Sequence, residues 1–264
     1  MTFTPMLKRY LVKFAVRLAV FFGTFFIYLT NHDNFVNIIT SPVAFGIAPY
    51  HVFWACMMGV MLLHIFPIKS MSMAMLKRDE PNYVPQPNYN TEKLKAYMAD
   101  KNRRALYVLL IWLGFNAIWA ALYLTGVIGL AEIIMLTTFY FLSDYICILL
   151  YCPFGYIVQN NKCCINCRIY DWGHFMMFTL LILVPNFFAL TLFAMGLIVL
   201  LRWEYAVAKH PEFMWEGSNR VLQCRNCQDK TCQMKKKVTA QLPGFLHPYH
   251  KYPKVRRRPE NVKD

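Results

Sequence analysis

HFMMFTLLILVPNFFALTLFAMGLIVLL, His174–Leu201, is a run of 28 residues without a formal charge, interrupted near its middle by Pro185-Asn186. As one straight helix it measures about 42 Å, longer than the roughly 30 Å hydrocarbon core of a bilayer. Bent at Pro185-Asn186 it becomes a helical hairpin with arms of 11 and 15 residues, each too short to cross at about 1.5 Å per residue. A kinked fifth span puts the two flanks of the run on opposite sides of the membrane. A re-entrant hairpin returns the chain to the side it left, on condition that protein covers the bend, because unpaired backbone groups in lipid cost several kcal/mol each.

Cysteines stand on both sides of this run. Cys163, Cys164 and Cys167 lie before it in the chain, and Cys224, Cys227 and Cys232 lie after it. Zinc in a structural site takes four ligands at tetrahedral corners, and two C-x2-C turns each supply two thiolates from one backbone knuckle. Cys164, Cys167, Cys224 and Cys227 match that pattern, but the 56 residues between the knuckles exceed the usual separation unless a hairpin closes the gap. An iron-sulfur cluster is the alternative, since Cys163, Cys232 and Cys152 provide further thiols. Thiol-disulfide exchange ranks third, as nothing around the motifs gives a thioredoxin-like strand and helix. Unliganded thiols account well for Cys56 and Cys147 within apolar helices, and less well for six cysteines among Asn, Lys, Arg and Gln.

Working outward, the whole 264-residue chain is 57% hydrophobic and only 16% charged, too apolar for an ordinary soluble domain. The fold expected is an all-α integral membrane protein: four transmembrane helices, the hairpin or kinked fifth span, and a small cytoplasmic cysteine-rich metal knuckle. Residues 1–30 hold the first span, from about Leu11, and read as an uncleaved segment because no small-residue cleavage site comes after it. Residues 31–49 form an exterior, irregular, interfacial linker, and 50–67 the second span. Residues 68–104 are a polar cytoplasmic loop whose Thr91–Arg104 part is a short charged helix. Residues 105–151 form a transmembrane hairpin turning near Gly126 and Gly129. Residues 152–173 carry the first cysteine cluster, and 202–238 an interfacial amphipathic segment, Trp203–Leu222, with the second cluster. Residues 239–264 are a basic flexible tail.

Charge sets the orientation. Lys8, Arg9, Lys13 and Arg17, eight basic residues in 68–104, and Lys162 with Arg168 lie on one face; the linker 31–49 and the turn near Gly126 have no Lys or Arg. The positive-inside rule then places the N-terminus in the cytoplasm. The segment after Leu201 holds the remaining fourteen of the 28 basic residues, which favours the hairpin and a cytoplasmic C-terminal tail. Nine cysteines cannot all pair as disulfides, and C-x2-C spacing in a reducing compartment points to metal or redox work.

Asp144 is the acid lying well inside an apolar helix, hence a proton-relay group or a polar lock between helices. A proton-coupled transporter using Asp144 is therefore a third functional class, after a zinc-bearing scaffold or anchor and an iron-sulfur redox subunit. Asn116 suits an interhelical hydrogen bond. His51 and His64 are thirteen positions apart, and haem ligation by them lacks partners on other spans, so both read as interfacial anchors. Lys235-Lys236-Lys237 and Arg256-Arg257-Arg258 suit anionic lipid headgroups. The bilayer, such headgroups and a protein partner in a membrane complex are the expected partners; no folded nucleic-acid reader is visible. No phosphate loop, Ser-His-Asp order or H-E-x-x-H motif marks a hydrolase or nucleotide enzyme.

Overall fold

The computed structural model describes residues 4–43, 45–66, 71–161 and 163–239. The tail from 240 onward, including Arg256–Arg258, lies outside the described residues, as do Lys69 and Lys162. Helices α1 (Pro5–Thr30), α2 (Phe35–Thr40), α3 (Pro49–Ile65), α4 (Met73–Leu76), α5 (Thr91–Leu124), α6 (Leu130–Leu149), α7 (Gly173–Phe178), α8 (Phe187–Lys209) and α9 (Cys232–Thr239) succeed one another in chain order, several of them linked by short 3-10 turns and α6 followed by a π turn, Phe154–Val158. Among the described residues there is no strand, only a single bridge between Pro85 and Asn219.

Four helices are long and apolar enough to cross a membrane: α1, α5, α6 and α8. They make the chain an integral membrane protein by length and composition. The second expected span forms the shorter helix α3, of 17 residues. Local sequence starts these helices where it should. The Thr4 hydroxyl accepts the Leu7 N–H ahead of Pro5, and Asn90 accepts the Lys93 N–H at the start of α5.

Three expected boundaries change. Thr91–Arg104 is the first part of α5 itself, because no Pro or Gly separates the charged turns from the apolar ones. The linker 31–49 contains α2 instead of being irregular. α8 runs six residues beyond Trp203, so the second arm of the apolar run is a 23-residue helix, and the amphipathic stretch begins only with the 3-10 turn Pro211–Met214. Trp203 stays helical because its side chain is fully buried in the bundle, not resting at an interface.

The chain reverses at Val184–Pro185–Asn186. Proline cannot continue the preceding 3-10 turn, Thr179–Leu183, and the Asn186 side chain caps α8 by accepting the Phe188 N–H at 2.9 Å. The two arms then run antiparallel at close range. A Cβ on Gly196 would sit 3.1 Å from the carbonyl oxygen of His174, so glycine lets the backbones approach. At the foot of α7, a Cβ on Gly173 would collide with Asp144 Oδ1 at 2.5 Å.

Ring contacts place the turn along the bundle. His174 packs on His64 in the last turn of α3, Phe178 on Phe53, and Phe188 on Tyr50, His51 and Trp54 near its start. The descending arm therefore spans most of the length of α3, while the helix packed along α3 is α8. Eleven residues suffice because five of them are 3-10, which rises about 2.0 Å per residue instead of 1.5.

Candidate functional site

The basic segments collect at one end of the bundle. Thr4 Oγ1 donates to the Asp229 carbonyl at 3.1 Å, the Tyr10 and Tyr170 hydroxyls meet at 2.9 Å, and Gln86 N donates to the Ser218 carbonyl at 2.8 Å. The N-terminus, the 71–104 loop and the segments flanking the apolar run thus form one cap. At the far end, Tyr28 and His32 both reach Glu132 at 3.0 Å.

The base of the α7–α8 pair is held by polar groups. Arg168 forks onto Glu204 through Nη1, at 2.7 Å, and Nη2, while its Nε donates to Asn102 Oδ1 at 2.8 Å. Trp172 Nε1 donates to Glu204 and Trp203 Nε1 to the Arg168 carbonyl, each at 2.7 Å. A bidentate, partly buried pair of this kind is stronger and more directional than a surface pair. Sequence patterning does not single out Arg168–Glu204; the signal it carries is Glu204 close behind an uncharged 28-residue run.

Both cysteine segments enter the cap. Lys77, 2% exposed, donates to the carbonyls of Ile165 at 2.6 Å and Cys167 at 2.9 Å, fixing the first knuckle to α4. Burial pulls the Lys77 ammonium down to about 8. Ile165 shares a small apolar core with Met73, Ala74 and Leu222, and Cys163 and Cys227 pack against it. Asn166 donates to Glu216 at 2.7 Å. In the second segment, Asp229 accepts the Met73 N–H at 3.2 Å and is pushed up to about 6 by burial.

The thiols divide into two groups. Cys147, Cys152, Cys163, Cys164 and Cys167 line one cavity of about 210 Å³, with Lys235 at its wall. The Lys235 ammonium donates to Cys164 Sγ at 2.8 Å. Burial works against that charge, but the Cys164 sulfur more than offsets it and raises Lys235. Cys152 is lowered to about 7 by the hydrogen bond from Cys147, helped by Lys235 and the Gly155 N–H. Burial raises Cys163 and Cys167 to about 11 each. Cys224 is exposed, and Cys227 and Cys232 are half-buried. Cys232 lies within electrostatic reach of Cys227, Cys224 and Cys164, which brings the two clusters into one neighbourhood.

Tetrahedral zinc with Zn–S bonds of about 2.3 Å needs sulfurs about 3.8 Å apart. Among the described residues, one group of three donor atoms closes to within 4.8 Å, and it is His64, Asp171 and His174. Among the described residues no three cysteine sulfurs close to that degree.

Asp144 faces a basic residue. Arg17 Nη1 lies 2.8 Å from Asp144 Oδ2 and 2.5 Å from the Phe141 carbonyl, with the guanidinium over the rings of Phe141 and Tyr145. This is the geometry of a lock between α1 and α6. Asn116 likewise bridges helices, accepting from the Tyr140 hydroxyl at 3.3 Å. His51 accepts the Ala48 N–H and caps the start of α3.

No family model matches the chain, and neither a curated protein nor a solved structure shows significant similarity to it.

Proposed function

We propose that the protein is an integral membrane scaffold or anchor whose cytoplasmic end is closed by a cysteine-ligated zinc ion. Cys164 and Cys167 of the first knuckle and Cys224 and Cys227 of the second are the ligands, with Cys163 and Cys232 as neighbouring thiols. The observation that carries this reading is the shared core of Ile165, Leu222, Met73 and Ala74, against which a cysteine from each cluster packs. Zinc binding would draw the two knuckles together across that core and release protons from thiols that burial keeps neutral. The positive-inside count supports a cytoplasmic location for this end, where thiols stay reduced. Lys235 is buried and turned inward onto Cys164, so of the expected basic run the exposed Lys236 meets anionic headgroups, and a protein of a membrane complex docks on the cap.

An iron-sulfur redox subunit is the second reading, favoured by the five thiols around one cavity, more than zinc requires. Elemental analysis of the full chain, purified anaerobically in detergent, separates the two. Colourless protein holding zinc, with one equivalent per chain lost in both Cys164→Ser and Cys227→Ser, is the expected result. Brown protein with several irons per chain supports the redox reading, and metal-free protein overturns both.

A further inference from the structure

We infer that His64, Asp171 and His174 form a second metal site, for a divalent transition ion held by nitrogen and oxygen, independent of the cysteines. One donor atom of each lies within 4.8 Å of the other two. Two imidazoles and one carboxylate make the donor set that takes zinc, iron(II), cobalt or manganese while leaving coordination positions open. The 2.8 Å between His64 Nδ1 and Asp171 Oδ1 is close to the separation of neighbouring ligands on one ion, about 3.0 Å for bonds of about 2.1 Å at right angles.

The independent pointer is His174. The residue is 6% exposed and its Nε2 is buried without a hydrogen-bond partner. A polar ring nitrogen in that position is costly unless something occupies it. Its ring packs edge-on to His64 with centroids 4.3 Å apart, and both line a cavity of about 310 Å³. Asp171 is held in place from outside the site, because Arg78 Nη1 bonds its other oxygen at 2.8 Å with both side chains 1% exposed. Such fixing of a ligating carboxylate is the usual role of an outer hydrogen bond.

The surrounding charge defines what completes the site. Arg17 is paired with Asp144 and Arg78 with Asp171, while Lys13 lines the same cavity. With the ion in place the cavity carries surplus positive charge, so the open positions take an anionic co-ligand, hydroxide or phosphate.

Cobalt(II) titration of the full chain in detergent tests this apart from the cysteine site. Thiolate ligation gives an intense near-ultraviolet charge-transfer band, and nitrogen and oxygen ligation gives only weak visible bands. We expect a thiolate-free binding event whose affinity falls at least tenfold in His174→Ala and in His64→Gln, with the thiolate band unchanged. His64 is partly exposed, so His64→Gln keeps the test open if His174→Ala fails to fold. An unchanged thiolate-free event in His64→Gln, or its absence from the native chain, overturns the inference. Loss of the thiolate band alone bears only on the cysteine site.

Discussion

At the residue scale, the apolar helices carry polar groups that are there to be paired. Asp144 is legible in the sequence as a costly intramembrane acid, but its partner is not. Arg17 reads as one of four basic residues flanking the first span, and only the packing of α1 on α6 brings it within 2.8 Å. Side chains at this pair are 9% and 21% exposed, so removing one partner leaves a largely buried charge. Asp144→Leu is expected to cost about 3–5 kcal/mol, and Arg17→Met combined with Asp144→Leu to recover most of it. Unfolding midpoints in detergent check this. A double variant no more stable than the single one would argue against the lock. The Arg168–Glu204 fork is hidden from sequence reading for a similar reason. Its partners are 36 positions apart, and no periodicity links them until the apolar run between them folds back.

At the element scale, the apolar run is the informative one. Proline with a capping residue next to it marks the reversal in the sequence, because those two residues act through local backbone chemistry. The arm lengths are not legible in the same way. α8 continues past the uncharged run through Trp203, which packs under Arg168, a tertiary contact that a count of uncharged residues cannot include. The 3-10 stretch of the other arm is equally invisible to helical periodicity, and it carries the turn to the level where α3 begins. Close packing of the arms depends on Gly196. Gly196→Leu is expected to force α7 and α8 apart at a cost of about 1–3 kcal/mol, lowering the unfolding midpoint. Gly23→Leu serves as the control, since a Cβ at Gly23 meets nothing within 4 Å. Equal midpoints for the two variants would show that the arms are not in close contact.

At the scale of the whole molecule, charge distribution is the most legible feature. Basic residues scattered over four separate segments of sequence converge on one end of the bundle, and the segments lacking them gather at the other. Hydropathy and charge are enough for that, because each span must carry its flanks to one side or the other. The meeting of the two cysteine clusters is legible only conditionally, through the reversal at Pro185-Asn186. The third component of the cap, α4 with Lys77 and Met73, is not legible at all. Its short sequence lies within a polar loop and acquires meaning only from the carbonyls of Ile165 and Cys167 that Lys77 holds.

The central claim is that both cysteine clusters share the basic end, which we propose to be cytoplasmic. Labelling of the native cysteines with a membrane-impermeant maleimide, with peptide mapping of the modified sites, addresses it directly. Within the two clusters the exposed reporter is Cys224. Labelling of Cys224 in inside-out vesicles and its protection in intact cells, with Cys163 and Cys164 showing the same sidedness once denaturant exposes them, is the predicted result. Labelling of Cys224 from outside intact cells, with Cys163 and Cys164 reachable only from inside, would place the clusters on opposite faces and contradict the account.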